Sequence, residues 1–339
     1  MTASAVIIVS YRTPSDVAGC LESLDSLQSE PPFIVYLCEN GGSAAWNDLC
    51  ATLLRGPCGP GGNPPSLLKT HFSRLVSLRL VRSGRTVIVG EAPENLGYAG
   101  GINSWLVPLL STPGWDGCWI LNPDAVVLPG AHAALVSEAI SRNLGMVGSR
   151  VMWTSADPRI RTRGLAWMRG RASARAVDRG ALGSDAPDLQ SIEELLDAPS
   201  GVSLFLTRPC AKALAPLNEQ YFLYFEDLDW GLRARRAGFR VGHAHDSVVN
   251  HIGGASIGSP SPDYIGSPLA IYLGFRNRIL FVHDHYPSWW VWTVLISLVH
   301  AARLAPFGGF PAAAKGLLAG LRGEIGRPDR LVEAHKPPV

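Results

Sequence analysis

Two short apolar runs rich in β-branched residues, Ala5 to Ser10 (AVIIVS) and Phe33 to Cys38 (FIVYLC), constrain this chain more than any other feature. Runs that are apolar at nearly every position, rather than at alternate ones, have both faces covered, as in the central strands of a parallel sheet. Parallel strands need a crossover, and the intervening stretch supplies one. Pro14 opens a helical pattern that puts Val17, Leu21, Leu24 and Leu27 on one face. Strand, helix, strand in this order is a βαβ unit, and ligands of such sheets bind beyond the carboxyl ends of the strands. Ser10 and Tyr11 stand at the first of those ends. Glu39 opens the polar turn at the second, either as a reader of a base N–H or as a plain turn carboxylate.

Thr86 to Val89 (TVIV) and Cys118 to Leu121 (CWIL) extend the strand pattern. After the first comes a stretch of small residues containing Asn95, Gly97 and Tyr98. It allows close backbone approach, and a helix beginning after Gly100 would present free N–H groups to a diphosphate. The second runs straight into Asn122-Pro123-Asp124. An aspartate fixed by a proline at a strand end is placed to hold a divalent cation, Mg²⁺ or Mn²⁺, with phosphates, waters and His251 completing the shell. Ala198 to Leu206 reads as ordered, with Gly201 and Ser203 small enough to line a sugar pocket.

Tyr221 to His251 concentrates the remaining chemistry. Glu226, Asp227 and Asp229 follow an aromatic run and start a helical pattern that ends at Gly238. A strand from Arg240 to His251 comes next and returns its last residue toward the same cleft. Such an arrangement offers a carboxylate as general base and a histidine as metal ligand. Acidic residues in a first helical turn also complement the helix dipole, and a lone histidine also serves as a hydrogen-bonded core residue. Asp229 and Arg233, four apart, read as a surface pair.

The 339 residues, 47% hydrophobic, suffice for one large core plus an appendage: a catalytic unit over 1–265 and a helical region over 266–339. A net charge of +2 gives no reason to expect nucleic acid. Six scattered cysteines without a C-x-x-C pair suit reduced thiols in a cytosolic chain, and the N-terminus reads as a first strand rather than a signal peptide. Arg55 to Pro65 reads as a surface excursion, and Ser256 to Pro268 as a linker or lid. Arg159 to Arg179, with seven arginines, reads either as a mobile flap meeting phosphates or as a solvated, partly disordered loop. Leu269 to Tyr286 is a helix candidate. Ser288 to Leu304 has an uncharged part short of the roughly 20 residues that span a bilayer. With Trp289, Trp290 and Trp292, and a second amphipathic pattern through Leu317, Leu318, Leu321 and Ile325, it suits a membrane interface. Packing on the catalytic unit or on a second copy, a homodimer, is the other reading of these helices.

In order, VSYRTP, ENGGS, PENLGYAGGIN, LNPDA, FLYFEDLDWGLRARRAGF and VVNH resemble the family-two glycosyltransferases of the bacterial rhamnosyltransferase and galactofuranosyltransferase-like branch, over roughly Ala5 to Tyr286. The resemblance implies an α/β GT-A fold, a Rossmann-like mixed and mainly parallel sheet flanked by helices, with the C-terminal helices as an extension. It implies inverting transfer from a dTDP-, UDP- or GDP-sugar, L-rhamnose first, to a saccharide acceptor. The interfacial helices point to a lipid-linked acceptor and to a peripheral place on the inner face of the plasma membrane. By the same resemblance Glu39 is the base-reading acid, Asp124 ends the metal-binding D-x-D motif, Asp227 is the general base with Glu226 its competitor, His251 joins the metal shell, and Arg276-Asn277 matches an R-N motif. Asn122 stands where many relatives carry the first aspartate, so metal dependence rests on one carboxylate. A catalytically degenerate sugar-nucleotide scaffold is the alternative function.

Overall fold

The structure, a computed structural model, describes residues 3–27, 30–65, 71–154, 157–185, 187–251 and 266–334. The expected βαβ start is present as β1 (Ser4–Ser10), α1 (Pro14–Asp25) and β2 (Phe33–Glu39), followed by α2 (Ser43–Arg55), β3 (Cys58–Pro60), β4 (Arg74–Leu80) and β5 (Thr86–Glu91). Then come α3 (Gly97–Leu110), β6 (Gly117–Leu121), β7 (Ala125–Val127), α4 (Ala131–Ser141) and β8 (Met146–Thr154). The middle of the chain holds β9 (Asp157–Thr162), β10 (Leu165–Met168), β11 (Ser173–Ala176), α5 (Leu189–Leu195), β12 (Ser203–Thr207) and α6 (Arg208–Leu214). The last third forms α7 (Glu226–Arg236), β13 (Val241–His251), α8 (Pro268–His285), α9 (Trp290–Arg303), α10 (Phe310–Leu321) and α11 (Asp329–Ala334).

The main sheet runs β3-β4-β5-β2-β1-β6-β12-β8-β13-β7, with β9 paired to β8. Its centre is parallel, β5-β2-β1-β6, and β12 enters antiparallel between β6 and β8. Strand β1 is buried throughout, and its side chains alternate between two cores. Val6 and Ile8 face α1 and α2 with Leu21, Leu24 and Leu53, whereas Ala5, Ile7 and Val9 face α3 with Trp105 and Leu106. That two-sided burial is the physical reason the run is apolar at nearly every position.

Several sequence expectations change. Helix α3 starts at Gly97 rather than after Gly100, because Gly97 takes φ +72° and a Cβ there would lie 2.3 Å from the Phe222 carbonyl oxygen. The Pro/Gly-rich stretch after Arg55 is not a mere excursion, since β3 pairs with β4 and widens the sheet. Nor is Arg159 to Arg179 a solvated loop. Strand β9 pairs with β8, and β10 with β11 forms a hairpin. Arg163 is buried, with Nε donating to Asp178 at 2.9 Å and Nη1 donating to His243 Nε2 at 3.1 Å and His245 Nδ1 at 2.9 Å. Asp229 is no surface residue either. It is buried and its Oδ1 lies 2.8 Å from His285 Nε2 of α8, while Arg233 Nη1 stands 3.6 Å from its other oxygen. Of the stretch Ser256 to Pro268, read as a linker or lid, positions 256–265 lie outside the described residues, and Pro268 opens α8.

Helix α8 is buried along most of its length and clamps the aromatic run ahead of α7. That run holds three non-glycine residues at positive φ, Phe222 (63°), Tyr224 (70°) and Phe225 (77°), a backbone arrangement that persists only when its surroundings enforce it. Asn277 Nδ2 donates toward the carbonyls of Tyr221 (3.0 Å), Leu223 (2.7 Å) and Tyr224 (3.0 Å). Arg276 Nη2 donates to the Tyr221 carbonyl at 2.7 Å, and Nη1 to that of Gly326 at 2.7 Å. Replacing Asn277 by alanine strands buried carbonyls and should cost about 2–4 kcal/mol, at about 1–3 kcal/mol per group left without a partner. Chemical denaturation of Asn277→Ala checks this, and a loss below 1 kcal/mol would show that the loop holds its own shape.

Candidate active site

One cavity of about 250 Å³ opens where the chain returns repeatedly to the same edge of the sheet. The end of β1 contributes Ser10 and Tyr11, and the entry to α3 contributes Asn95, Gly97 and Tyr98. The turn between β6 and β7 contributes Asn122 and Asp124, the start of α7 Glu226 and Asp227, and the end of β13 His251. The wall is completed by Arg161, by Gly201 and by an apolar side of Phe222, Leu223, Tyr224, Leu269 and Val332.

Two residues expected to contact a donor do not reach this wall. Ser203 points into the interior, where its hydroxyl accepts from the Trp119 indole at 2.9 Å and lies 2.6 Å from Ser149 Oγ. Gly201, in the turn that leads into β12, lines the cavity instead. Glu39 is buried behind the wall, and its Oε1 accepts the backbone N–H groups of Arg12 (3.1 Å) and Gly41 (2.7 Å). Burial pushes its carboxyl above the usual range against those hydrogen bonds. Its neighbour Asn40 lines the cavity and donates to the Gly97 carbonyl at 2.9 Å. The long segment Trp46 to Arg85 forms α2, β3 and β4 at the sheet's far side, and none of its described residues lines the cavity.

His251 and Asp124 meet although 127 positions separate them, because β13 pairs antiparallel with β7 and sets His251 opposite Ala125. Nε2 of His251 lies 2.9 Å from Asp124 Oδ1 and 3.4 Å from Asn122 Nδ2. Burial would raise the Asp124 carboxyl, yet the hydrogen bond and charge of His251 hold it below the usual carboxylate range. The Tyr98 hydroxyl stands 2.8 Å from the Gly201 carbonyl and 3.0 Å from Asn122 Oδ1, which fixes the asparagine beside the pair. One carboxylate and one imidazole side by side fit a divalent cation of the Mn²⁺ type as a partial ligand set once the cation displaces the proton they share. The described residues contain no group of three or more His, Cys, Asp or Glu that could hold a metal by themselves, so oxygen ligands from a substrate would have to complete the shell.

The carboxylates of α7 line the same cavity. Asp227 Oδ2 accepts the Gly201 N–H at 3.2 Å and Oδ1 accepts that of Leu228 at 2.9 Å. Glu226 Oε2 is buried without a hydrogen-bond partner among the described residues. Burial raises both carboxyls, and for Glu226 the neighbouring Asp227 charge adds to it. A carboxylate raised this way is a stronger base than an exposed aspartate.

The arrangement of sheet, helices and cleft is the GT-A fold of glycosyltransferases. GalNAc-T7, solved with UDP, GalNAc and Mn²⁺, matches it with a TM-score of 0.55 at 14% identity, over 98% of this chain and 56% of that one. In sequence the chain is similar to an N-acetylglucosaminyl-diphospho-decaprenol L-rhamnosyltransferase of Mycobacterium tuberculosis, 24% identical over 320 residues, covering 88% of this chain and 91% of that protein. It is also similar to the low-salt glycan biosynthesis hexosyltransferase Agl10 of Haloferax volcanii, 23% identical over 256 residues, covering 71% and 78%. No protein-family model matches the chain. The resemblance to GT-A glycosyltransferases drawn from the motifs is therefore supported independently by sequence relatives and by fold.

Burial of the α7 carboxylates has a stability consequence. A carboxyl raised in the folded state binds its proton more tightly there than in the unfolded chain, so folding loses stability as pH rises from the unfolded value through the folded one. Asp227→Asn removes that loss. It should raise the melting temperature relative to the parent at pH 8 but hardly at pH 4, and a shift equal at both values would show that the charge is not the cause.

Proposed function

We propose that the chain is an inverting glycosyltransferase that moves a sugar from a nucleoside-diphosphate donor to a saccharide acceptor. The observation that carries this reading is one cavity lined both by the Asp124–His251 pair and by the raised carboxylates of α7. The first suits the phosphates of a donor, the second an acceptor hydroxyl. In the proposed reaction Asp227 accepts the proton of that hydroxyl while its oxygen bonds to the anomeric carbon. The bond from that carbon to the diphosphate breaks, and the nucleoside diphosphate leaves from the opposite face. Displacement from behind inverts the anomeric centre. Glu226, beside Asp227, is the other α7 carboxyl that lines the cavity and the competitor for the base role. Asp124 and His251 would hold a divalent cation, Mg²⁺ or Mn²⁺, whose chemistry is to offset negative charge on the leaving diphosphate.

One of the relatives supports a choice of substrate. A similar protein of matching length is by name an L-rhamnosyltransferase acting on a diphospho-decaprenol saccharide, so dTDP-rhamnose and a lipid-linked acceptor are the proposed pair. The apolar wall of Leu223, Tyr224, Leu269 and Val332 beside the carboxylates suits an acceptor with an apolar portion. Asp227→Asn should lower kcat by at least about 10³-fold, at the scale of a lost general base, while dTDP binding changes little. Full turnover in that variant, together with an inactive Glu226→Gln, would move the base role to Glu226. Nucleotide binding without turnover in the parent would favour a sugar-nucleotide scaffold.

We further propose that the protein lies on the inner face of the plasma membrane. No helix among the described residues is long and apolar enough to cross a membrane. Helix α9 nevertheless exposes Val291, Trp292, Leu295, Leu298 and Val299, and α10 exposes Phe310, Leu318 and Leu321. Apolar side chains in such a row suit insertion at the headgroup level. The double variant Leu295→Glu/Leu298→Glu should lose most co-sedimentation with phosphatidylglycerol vesicles while keeping its melting temperature. Undiminished sedimentation would remove this face as the attachment surface.

A further inference from the structure

One cation in the cavity wall is singled out by neither the strand pattern nor the carboxylate motifs. Arg161, on β9, is fixed from two sides. Its guanidinium carbon stands 4.6 Å from the centre of the Trp153 ring, and Nη1 donates to the His251 carbonyl at 2.9 Å. These contacts set the head group beside the Asp124–His251 pair while using few of its five N–H donors. Among the described residues Nε and Nη2 make no hydrogen bond, and no carboxylate stands at salt-bridge distance. Asp124 acts on it only through space.

A half-buried guanidinium lacking an ion pair has lost part of its hydration without a compensating anion. Its planar fork matches phosphate oxygens in geometry as well as charge. The ligand set next to it is also thin. With Asn122 ahead of Asp124, the pair at the turn brings a single carboxylate, too little to bind a divalent cation tightly by itself. A diphosphate entering here would meet a fixed positive charge that needs no metal.

We infer that Arg161 binds the diphosphate of the donor directly, so that nucleotide binding persists when divalent metal is removed. This rests on the proposed donor site. The competing role, holding the β13 end through the His251 carbonyl alone, predicts a structural effect without preference for phosphate. The test is calorimetry on the full chain with dTDP, UDP and GDP, each in EDTA and in Mn²⁺, repeated on Arg161→Gln and Arg161→Lys, with the matching nucleoside as competitor. The parent should bind at least one diphosphate in EDTA. Arg161→Gln should weaken that binding at least tenfold, and more in EDTA than in Mn²⁺, with the melting temperature and nucleoside binding unchanged. Arg161→Lys should recover part of the loss. Binding of the parent in Mn²⁺ only, an unchanged diphosphate affinity in Arg161→Gln, or equal losses for diphosphate and nucleoside would each overturn the inference. Failure of the parent to bind any of the three nucleotides, with or without metal, would instead overturn the donor site itself.

Discussion

The site depends on a clamp more than on any catalytic contact. Asn277 and Arg276, on consecutive positions of α8, hold the carbonyls of a loop in which three of four consecutive residues sit at positive φ. Left-handed backbone at Phe222, Tyr224 and Phe225 is unfavourable for side-chain-bearing residues. It serves a purpose here: the chain turns sharply enough to start α7 with Glu226 and Asp227 facing the cavity. The Phe222 carbonyl also accepts the Tyr98 N–H at 2.8 Å, so the loop is tied to the entry of α3 as well. The helix that reads as an appendage in the sequence therefore sets the position of the proposed base.

Charge is distributed in the same economical way. Burial keeps the α7 carboxyls reluctant to ionise, which suits proton transfer, while His251 holds Asp124 ionised a short distance away. Two carboxylates in one cavity thus differ through their surroundings: Asp124 faces an imidazole, and Asp227 faces backbone N–H groups and an apolar wall. Gly201 serves both halves, its carbonyl near the Tyr98 hydroxyl and its N–H on Asp227. A Cβ at Gly201 would meet Asp227 Oδ2 at 3.6 Å, ordinary contact, so the glycine is not demanded by crowding there.

Much of the architecture was legible in the chain because it depends on local physics. Apolar runs buried on both faces, a Pro-initiated helix between them and turns at the strand ends lead to a βαβ sheet with its ligands at one edge. Most expected site residues, Ser10, Tyr11, Asn95, Gly97, Tyr98, Asn122, Asp124, Glu226, Asp227 and His251, line one cavity. Ser203 failed because small size says nothing of direction: on antiparallel β12 its side chain turns inward. Glu39 reads correctly as a strand-end residue, yet its carboxylate is taken up by two backbone N–H groups.

What the sequence by itself determined is the parallel centre of the sheet, β5-β2-β1-β6, its burial and the chemistry of each motif, because period, propensity and residue type are local. What only tertiary structure decided is adjacency. The pairing of β13 with β7 brings His251 to Asp124, and the pairing of β9 with β8 carries Arg161, one of seven arginines in its stretch, into the cavity wall. Neither contact leaves a periodic trace, since each depends on register between strands distant in the chain, and register is set by the packing of the whole sheet.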